Sequence, residues 1–391
     1  MTAATNAVGE APLGLMTEIK QQIRFCTTGD GGRIAVATVG TGQPLLRAGH
    51  WLTRVELDAC SPVWMHWLRD LSREYSYIRY DQRGCGLSDR TPASLSLEAW
   101  INDFEAVVNS LGLKRFALFG MSQGGAAAIA YAARHPERVS RLVLLGAFAR
   151  GRLRRGRTTQ EDEETLINLI RIGWTHDNPA FRQFFARLRI PDGTLEQLRG
   201  FNDLGRHSAS LETVIAIREA LYQLDITTLA EAVRVPTLVF HAREDAVVPF
   251  EEGRRLAALI PSARFVPLDG RNHVLLEAEP AWTQFRTELR AFIADGSDNA
   301  SPRHRLSTIA QLTPAEHQVL GLLARGLHNG AIAVQLGKGE KTVRNQVSNI
   351  LRKLQAHTRA EAVALARDAG IGVPPGGAPQ PPAGRTQGGG I

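Results

Sequence analysis

The feature that most constrains the fold is a repeated alternation of short apolar, β-rich runs with helical patterns. The runs RFALFG (115–120) and RLVLLG (141–146) are each preceded by a helical stretch, at Leu97–Leu111 and at Gly124–Arg134. Strands that alternate with helices of this length build a mostly parallel sheet with helices on both faces. We therefore expect an α/β fold.

The start and the middle of the pattern differ from simple alternation. Two β-rich runs, IRFCTT and RIAVATVG, flank a glycine-rich turn at 29–32 and predict a hairpin. From about 148 to 225 the sequence has helical patterns and no strand candidate, so we expect an all-helical cap over a pocket. The arginine-rich beginning of this stretch is interpreted as a solvent-exposed loop. Strand patterns resume at 237–240 and 263–268.

Length and composition indicate several segments. The chain has 391 residues, 43% of them hydrophobic and 22% charged, so most of it can bury a core. A Pro- and Gly-rich end cannot bury enough apolar surface to fold. The expected segments are a flexible arm at 1–20, an α/β domain at 21–295, a polar linker at 296–306, a helical module at 307–370 and a disordered tail at 371–391.

The sequence also indicates in which cellular compartment the protein is expected. No stretch approaches the ~20 apolar residues of a membrane helix, and the N-terminus lacks the pattern of an export signal. The three cysteines, Cys26, Cys60 and Cys85, are scattered, which argues against a disulfide framework and a metal site. We expect a protein of the reducing cytoplasm with no membrane partner, no metal and no cofactor.

One strand-to-helix turn carries a candidate nucleophile. The sequence Gly120-Met121-Ser122-Gln123-Gly124 matches G-x-S-x-G and joins the apolar run FALFG to an alanine-rich helix. A serine hydroxyl is a weak nucleophile, so it has to be held on a sharp turn within reach of a base. The Gln123 amide, at the start of the helix, is a candidate donor to a developing oxyanion.

Two later loops supply candidates for the acid and the base, in the order that follows such a serine. Asp245 lies in a polar turn after the strand TLVF, and we prefer it to the adjacent Glu244, which stays an alternative. His273 follows the strand ARFVPL. Three candidates, each in a loop after a strand, predict a serine-histidine-acid triad.

Residues of about 20–295 resemble the α/β-hydrolase fold. The resemblance rests on the strand, serine-turn, acid and histidine segments and on the turn D-x-R-G-x-G-x-S, which stands at 81–88. It implies that Ser122 is the nucleophile, His273 the general base and Asp245 the residue that orients it. The implied reaction is acyl transfer from an ester, thioester, lactone or amide, and the cap would shape the pocket.

One segment departs from the family's pattern. Where the family usually has His-Gly and an apolar residue after the third strand, this chain has Ala48-Gly49-His50-Trp51. The alignment leaves the Trp51 amide as the second oxyanion donor. Loss of one donor costs roughly 3 kcal/mol of transition-state stabilisation, so we expect a slow site if this amide is misplaced.

The helical module at 307–370 is basic, with eight Lys and Arg against four acidic residues. Thr313 starts one helix, Asn329 begins a short second helix that ends at Gly337, and a third runs from about Glu340 to Leu354. Two short helices joined by a glycine-containing turn predict a helix-turn-helix. The expected base-reading side chains are Arg344, Asn345 and Ser348, and the expected phosphate contacts are Lys341, Thr342, Gln346 and Lys353.

This module resembles the LuxR-type helix-turn-helix almost residue for residue. The segments L-T-x-x-E, G-x-x-N-x-x-I-A and K-T-V-R-N-x-V-S-N-I-L-R-K-L begin at 312, 326 and 341. The chain departs from the family at Ala331, Gly339 and Gln346. The resemblance implies a four-helix domain that binds double-stranded operator DNA as a homodimer through a fourth, alanine-rich helix. RNA polymerase is a further candidate partner.

Taken together, the sequence predicts a transcriptional regulator whose hydrolase-like domain senses, and processes, a small acyl, ester or lactone ligand. One alternative is a working serine hydrolase, esterase-like, to which a DNA-binding module is appended. Another is a vestigial pocket that binds a ligand without reacting. The sequence leaves the ligand, the operator and the sign of regulation open.

Overall fold

The computed structural model describes residues 19–156, 158–175, 179–295 and 312–354, and single positions at 359, 362, 363, 366 and 371. The chain divides into two compact units, Met1–Gly296 and Ser297–Ile391. Each unit is described by itself. The predicted arm, linker and tail lie almost entirely outside the described residues, as does most of the predicted fourth helix of the C-terminal module.

The first unit is built on an eight-stranded sheet. Its strands are β1 (Gln22–Thr27), β2 (Arg33–Val39), β3 (Gln43–Arg47), β4 (Tyr75–Tyr80), β5 (Phe116–Met121), β6 (Val139–Leu145), β7 (Thr237–Ala242) and β8 (Ala263–Leu268). Their order is β1-β2-β4-β3-β5-β6-β7-β8. The hairpin β1–β2 and the pair β2–β4 are antiparallel, and the other pairs are parallel. The predicted α/β class with a mostly parallel sheet is confirmed.

Helices cover both faces of the sheet. In chain order they are α1 (Met65–Leu71), α2 (Leu97–Ser110), α3 (Gly124–Arg134), α4 (Gln160–Thr175), α5 (Pro179–Arg189), α6 (Leu195–Ser208), α7 (Leu211–Tyr222), α8 (Thr227–Ala232), α9 (Phe250–Leu259) and α10 (Pro280–Ala294). One apolar layer lies under α2, α3, α8 and α9, and another under α1 and α10. Among the described residues no helix is long and apolar enough to cross a membrane.

The insertion between β6 and β7 contains α4–α7, and backbone hydrogen bonds join its two ends. Arg150 and Asp225 form an antiparallel bridge. Gly151 N donates to Leu224 O at 2.7 Å, and Ile226 N donates to Ala149 O at 2.9 Å. Because both ends meet at one point, the four helices form a cap whose two chain connections to the sheet lie side by side.

The arginine-rich start of the insertion is not simply a solvent-exposed loop, contrary to the sequence interpretation. Arg150 Nη2 lies 2.7 Å from Glu252 Oε1 of α9. The Arg155 guanidinium lies over the Phe148 ring, 4.9 Å from its centroid. These contacts tie the base of the cap to the sheet, and local sequence patterns carry no information about such long-range partners.

Among the described residues of the second unit, three helices have defined bounds, α11 (Pro314–Ala324), α12 (Asn329–Leu336) and α13 (Glu340–Lys353). Thr313, which was predicted to start this helix, forms a capping box with Glu316 at the start of α11. Gly337 ends α12 with a φ of +61°, a left-handed conformation that glycine adopts without steric cost. A small core of side chains from all three helices holds them together, including Val319, Leu320, Leu323, Ile332, Val343 and Ile350.

Close packing of α3 on β5 positions the turn between them. A Cβ atom added at Gly120 would lie 2.7 Å from Ala128 Cβ, 2.8 Å from Gly125 Cα and 3.0 Å from Leu144 Cδ2. A Cβ at Gly125 would lie 2.5 Å from Ala147 Cβ. Real side chains do not approach so closely, so glycine is required for α3 to lie this near the sheet.

We therefore predict that Gly120→Ala lowers the free energy of unfolding of the first unit by about 1–3 kcal/mol, because overpacking forces α3 away from β5. Gly29→Ala is the control, since nothing lies within 4 Å of its Cβ position. Urea unfolding followed by tryptophan fluorescence measures this unit, because all six tryptophans lie between positions 51 and 282. Equal unfolding free energies for the two variants would contradict the packing argument.

Candidate functional site

Ser122 lies at the turn from β5 into α3 and has a φ of +49°. Among the described non-glycine residues no other has a positive φ. Its N–H donates to Leu145 O at 2.9 Å, and its carbonyl accepts from Gly125 N at 3.0 Å. Such a conformation costs of order 1–3 kcal/mol and persists only where the surroundings enforce it. The sharp turn holds the partly exposed Ser122 side chain at the carboxyl end of the sheet.

Asp245 and His273 form a hydrogen-bonded pair in loops that follow β7 and β8. His273 Nδ1 donates to Asp245 Oδ2 at 2.6 Å. The other oxygen, Oδ1, accepts from Val247 N at 2.8 Å and from Val248 N at 3.0 Å. Glu244, the alternative acid, is exposed to solvent. The geometry therefore favours Asp245 as the partner of His273.

The charge state of this pair follows from its surroundings. Burial raises the pKa of Asp245, but the charge and the hydrogen bond of His273 outweigh it and leave the pKa below its ordinary value. The carboxylate is therefore ionised at neutral pH. When the imidazole of His273 carries a single proton, on the Nδ1 directed at Asp245, its Nε2 is an acceptor.

His273 Nε2 is buried and makes no hydrogen bond in the described part of the chain, to Ser122 or to another group. Room for the ring comes from Gly146, where a Cβ would lie 2.8 Å from His273 Cε1. Hydrogen bonds between base and nucleophile are often long before substrate binds. A buried acceptor with no partner is what a general base at this position requires.

The two predicted oxyanion donors differ in availability. No hydrogen bond in the described residues uses the Gln123 N–H, which lies at the start of α3. The Trp51 N–H, in contrast, donates to the Gln123 side chain, 3.3 Å from Oε1. Gln123 is itself held by a 2.9 Å hydrogen bond from its Nε2 to Gln82 Oε1. An oxyanion would have to displace Gln123 Oε1 before it could use the Trp51 amide.

His241 lies beside the candidate acid. It is fully buried at the end of β7. Its Nε2 donates to Val248 O at 2.8 Å and lies 3.7 Å from Asp245 Oδ2. Burial lowers the pKa of His241, which favours the neutral ring. His241 thus braces the loop that holds Asp245, and its place on the strand leading to Asp245 was the available signal.

The cap covers this site with aromatic and cationic side chains. The rings of Trp51 and Trp174 are 6.4 Å apart. The Arg189 guanidinium, at the end of α5, lies over the Trp51 ring, 5.6 Å from its centroid.

In the part of the chain that the structure describes, no group of three or more His, Cys, Asp or Glu side chains is arranged to hold a metal ion.

In the second unit, α13 separates its side chains into two faces. Val343, Val347 and Ile350 are buried against α11 and α12. The opposite face is polar, and Gln346 on it is partly buried. The exposed residues among those predicted to contact DNA are Lys341, Thr342, Arg344, Asn345 and Ser348.

Lys353 has a different position from the other predicted DNA contacts. Its Nζ lies 2.7 Å from Glu316 Oε2, within the capping box of α11. This hydrogen bond and the Thr313 amide lower the pKa of Glu316 to about 2. Lys353 therefore links α13 to α11, and a phosphate would have to compete with a carboxylate for it.

Comparisons with known proteins agree with this division of the chain. Residues 57–280 match the family model described as "alpha/beta hydrolase fold". Residues 310–366 match the model described as "Bacterial regulatory proteins, luxR family".

Individual relatives match the first of these regions. The AB hydrolase superfamily protein YisY of Bacillus subtilis is 29% identical over 252 residues, covering 61% of this chain and 87% of that protein. The putative carbamate hydrolase RutD of Caulobacter segnis is 26% identical over 237 residues, covering 57% and 84%. A solved structure of a thermophilic esterase from Thermogutta terrifontis has a TM-score of 0.56 at 25% identity, covering 70% of this chain and 98% of that one.

The family match spans more than half of the chain, and the C-terminal match coincides with the helix-turn-helix. The chain therefore belongs to the alpha/beta hydrolase fold family and carries, after that domain, a DNA-binding domain of the luxR family of bacterial regulatory proteins.

Proposed function

We propose that the protein is a cytoplasmic transcriptional regulator whose hydrolase-fold domain binds a small acyl, ester or lactone ligand and hydrolyses it slowly at Ser122. The observation that carries the proposal is the combination, in one chain, of a hydrogen-bonded Asp245–His273 pair near a strained serine with a helix of the luxR type. The regulator acts as a homodimer on operator DNA, with RNA polymerase as a further partner.

The site residues support a two-step acyl transfer. Ser122 Oγ attacks the carbonyl carbon while His273 Nε2 removes its proton, and the Gln123 amide donates to the oxyanion that forms. Collapse of this intermediate breaks the bond to the leaving alcohol, which takes the proton from His273. A water molecule, activated by the same base, then releases the acid and regenerates Ser122. Asp245 stays ionised and holds the imidazole in the required tautomer.

The oxyanion site gives a reason for slow turnover. The Trp51 amide already donates to Gln123 Oε1, so the transition state gains less from it than from an unengaged donor. One missing donor of this kind lowers kcat by about a hundredfold to a thousandfold. A long-lived complex or acyl-enzyme suits a sensor, because occupancy then reports ligand concentration without rapid depletion.

A working serine hydrolase with an appended DNA-binding domain is the second candidate, and the unpartnered His273 Nε2 beside an ionised Asp245 favours it. The two readings differ in what the ligand does. In a sensor the ligand binds the DNA-binding-competent and incompetent states with different affinities. In an enzyme it is a substrate whose occupancy has no effect on DNA affinity.

We predict that a fluorophosphonate labels wild-type protein at Ser122 and that Ser122→Ala abolishes the labelling, since only an activated serine reacts. His273→Ala should slow it by roughly a hundredfold or more, the usual contribution of a general base. Ser110→Ala, which alters an exposed serine, serves as the control and should label like wild type. In-gel fluorescence and peptide mass spectrometry provide the readout. Absence of labelling in the wild-type protein would contradict the assignment of Ser122 as the nucleophile.

We predict salt-sensitive binding to the promoter region of the protein's own gene. Arg344→Ala should cost about 1–3 kcal/mol of binding and relax base preference at one position, whereas Lys341→Ala should weaken all sequences alike and reduce the salt slope by about one. Lys114→Ala removes an exposed lysine of the first unit and should change neither the DNA affinity nor the salt slope. Fluorescence anisotropy titrations at several salt concentrations measure these effects, and salt-independent binding would exclude the proposed interface.

We also predict that a fluorophosphonate adduct on Ser122 changes operator affinity by roughly 5- to 150-fold, the usual range of allosteric coupling. Treated Ser122→Ala protein controls for modification elsewhere. The same anisotropy assay compares the two proteins after labelling has gone to completion. Identical affinities with and without the adduct would favour the hydrolase reading.

A further inference from the structure

Arg189 is the last residue of α5, and its backbone lies directly against the candidate base. Its carbonyl oxygen accepts from His273 N at 2.8 Å and from Val274 N at 3.2 Å. Its guanidinium extends over the Trp51 ring, 5.6 Å from the centroid. Arg189 therefore presents a cation on the cap side of the candidate site.

The charge of Arg189 has no carboxylate partner within the described residues. Its one side-chain hydrogen bond runs from Nη1 to Phe185 O, within its own helix, at 3.0 Å. A guanidinium has five N–H donors. The remaining donors of Arg189 have no acceptor among the described residues. Burial, with a smaller effect from the charge of Arg218, lowers the pKa of Arg189 to about 10. The side chain stays cationic at neutral pH, although it is partly buried.

Two buried acidic groups of the first unit, Glu163 and Asp245, are already engaged by other residues. Glu163 is fully buried between Arg152, whose Nε lies 2.5 Å from Oε1, and Arg218, whose Nη2 lies 3.3 Å from Oε2. Asp245 is bound by His273. Neither carboxylate therefore forms an ion pair with Arg189 in the described structure, and covering a cation without an anion is unfavourable.

We propose that Arg189 binds a carboxylate of the ligand, so that the ligand is an acyl compound with a second, negatively charged end, such as a half-ester or a lactone acid. The inference rests on the proposed function of the Ser122 site. A guanidinium matches the two oxygens of a carboxylate with paired N–H donors. The Trp51 ring lies beside the guanidinium, and the N–H donors without an acceptor among the described residues are available to a ligand.

The arrangement specifies both ends of the ligand. The acyl carbon lies at Ser122, beside the Gln123 amide, and the carboxylate lies at Arg189, across the oxyanion segment that contains Trp51. The aromatic rings of Trp51 and Trp174 suit the short apolar connection between these two ends. Neutral acyl chains would cover the partly buried Arg189 charge without pairing it, and they should bind less tightly.

The test compares two p-nitrophenyl esters of equal acyl length, the hydrogen glutarate and the valerate. Wild type should prefer the glutarate in kcat/KM by roughly tenfold to a hundredfold, the range of a hydrogen bond to a charged group. Arg189→Gln should bring the ratio of the two kcat/KM values close to one, and Arg189→Lys should restore part of it. Arg187→Gln, which alters an exposed residue of the same helix, should keep the wild-type ratio.

The ratio of the two kcat/KM values is informative because a variant that only perturbs the fold lowers kcat/KM for both esters together. A wild-type ratio of one or less, or a ratio that survives in Arg189→Gln, would overturn the proposal.

If neither ester turns over, binding of monomethyl glutarate and of methyl valerate is compared instead, by the shift that each causes in the melting temperature. A shift with the glutarate alone, lost in Arg189→Gln, supports the proposal, and equal or absent shifts overturn it. Fluorophosphonate labelling separates the two failures, because an unlabelled Ser122 refutes the proposed function itself.

Discussion

The close approach of α3 to β5 is the constraint on which the rest of the first unit depends. Glycines at 120 and 125 leave no Cβ between the two elements, and the short connection then forces Ser122 into its positive φ. The strand order β5-β6-β7-β8 places the loops after β5, β7 and β8 at one edge of the sheet. The serine, the acid and the histidine meet there because parallel strands end on the same side.

Much of this arrangement could be predicted because it follows from local patterns. The bounds of α3 agree with the predicted helix, and the capping box at Thr313 and the helix end at Gly337 depend on neighbouring residues only. The pairing of Asp245 with His273 was also accessible, since both residues follow strands of a parallel sheet and the expected chain order restricts the choice.

What could not be predicted depends on contacts between distant residues. The conformation of the Gln123 side chain decides whether the Trp51 amide is available, and Gln82 on another loop sets that conformation. Lys353 resembles a phosphate ligand in the sequence, but the fold brings it to Glu316 of another helix.

The hydrogen bonds from His273 N and Val274 N to the Arg189 carbonyl have a consequence for how the cap and the base are coupled. They attach the backbone that carries the imidazole to the end of α5. A displacement of this end of α5 would therefore either break both hydrogen bonds or shift the imidazole relative to Ser122. Substitutions in the cap, far from the triad in the sequence, would in this way alter the alignment of the base.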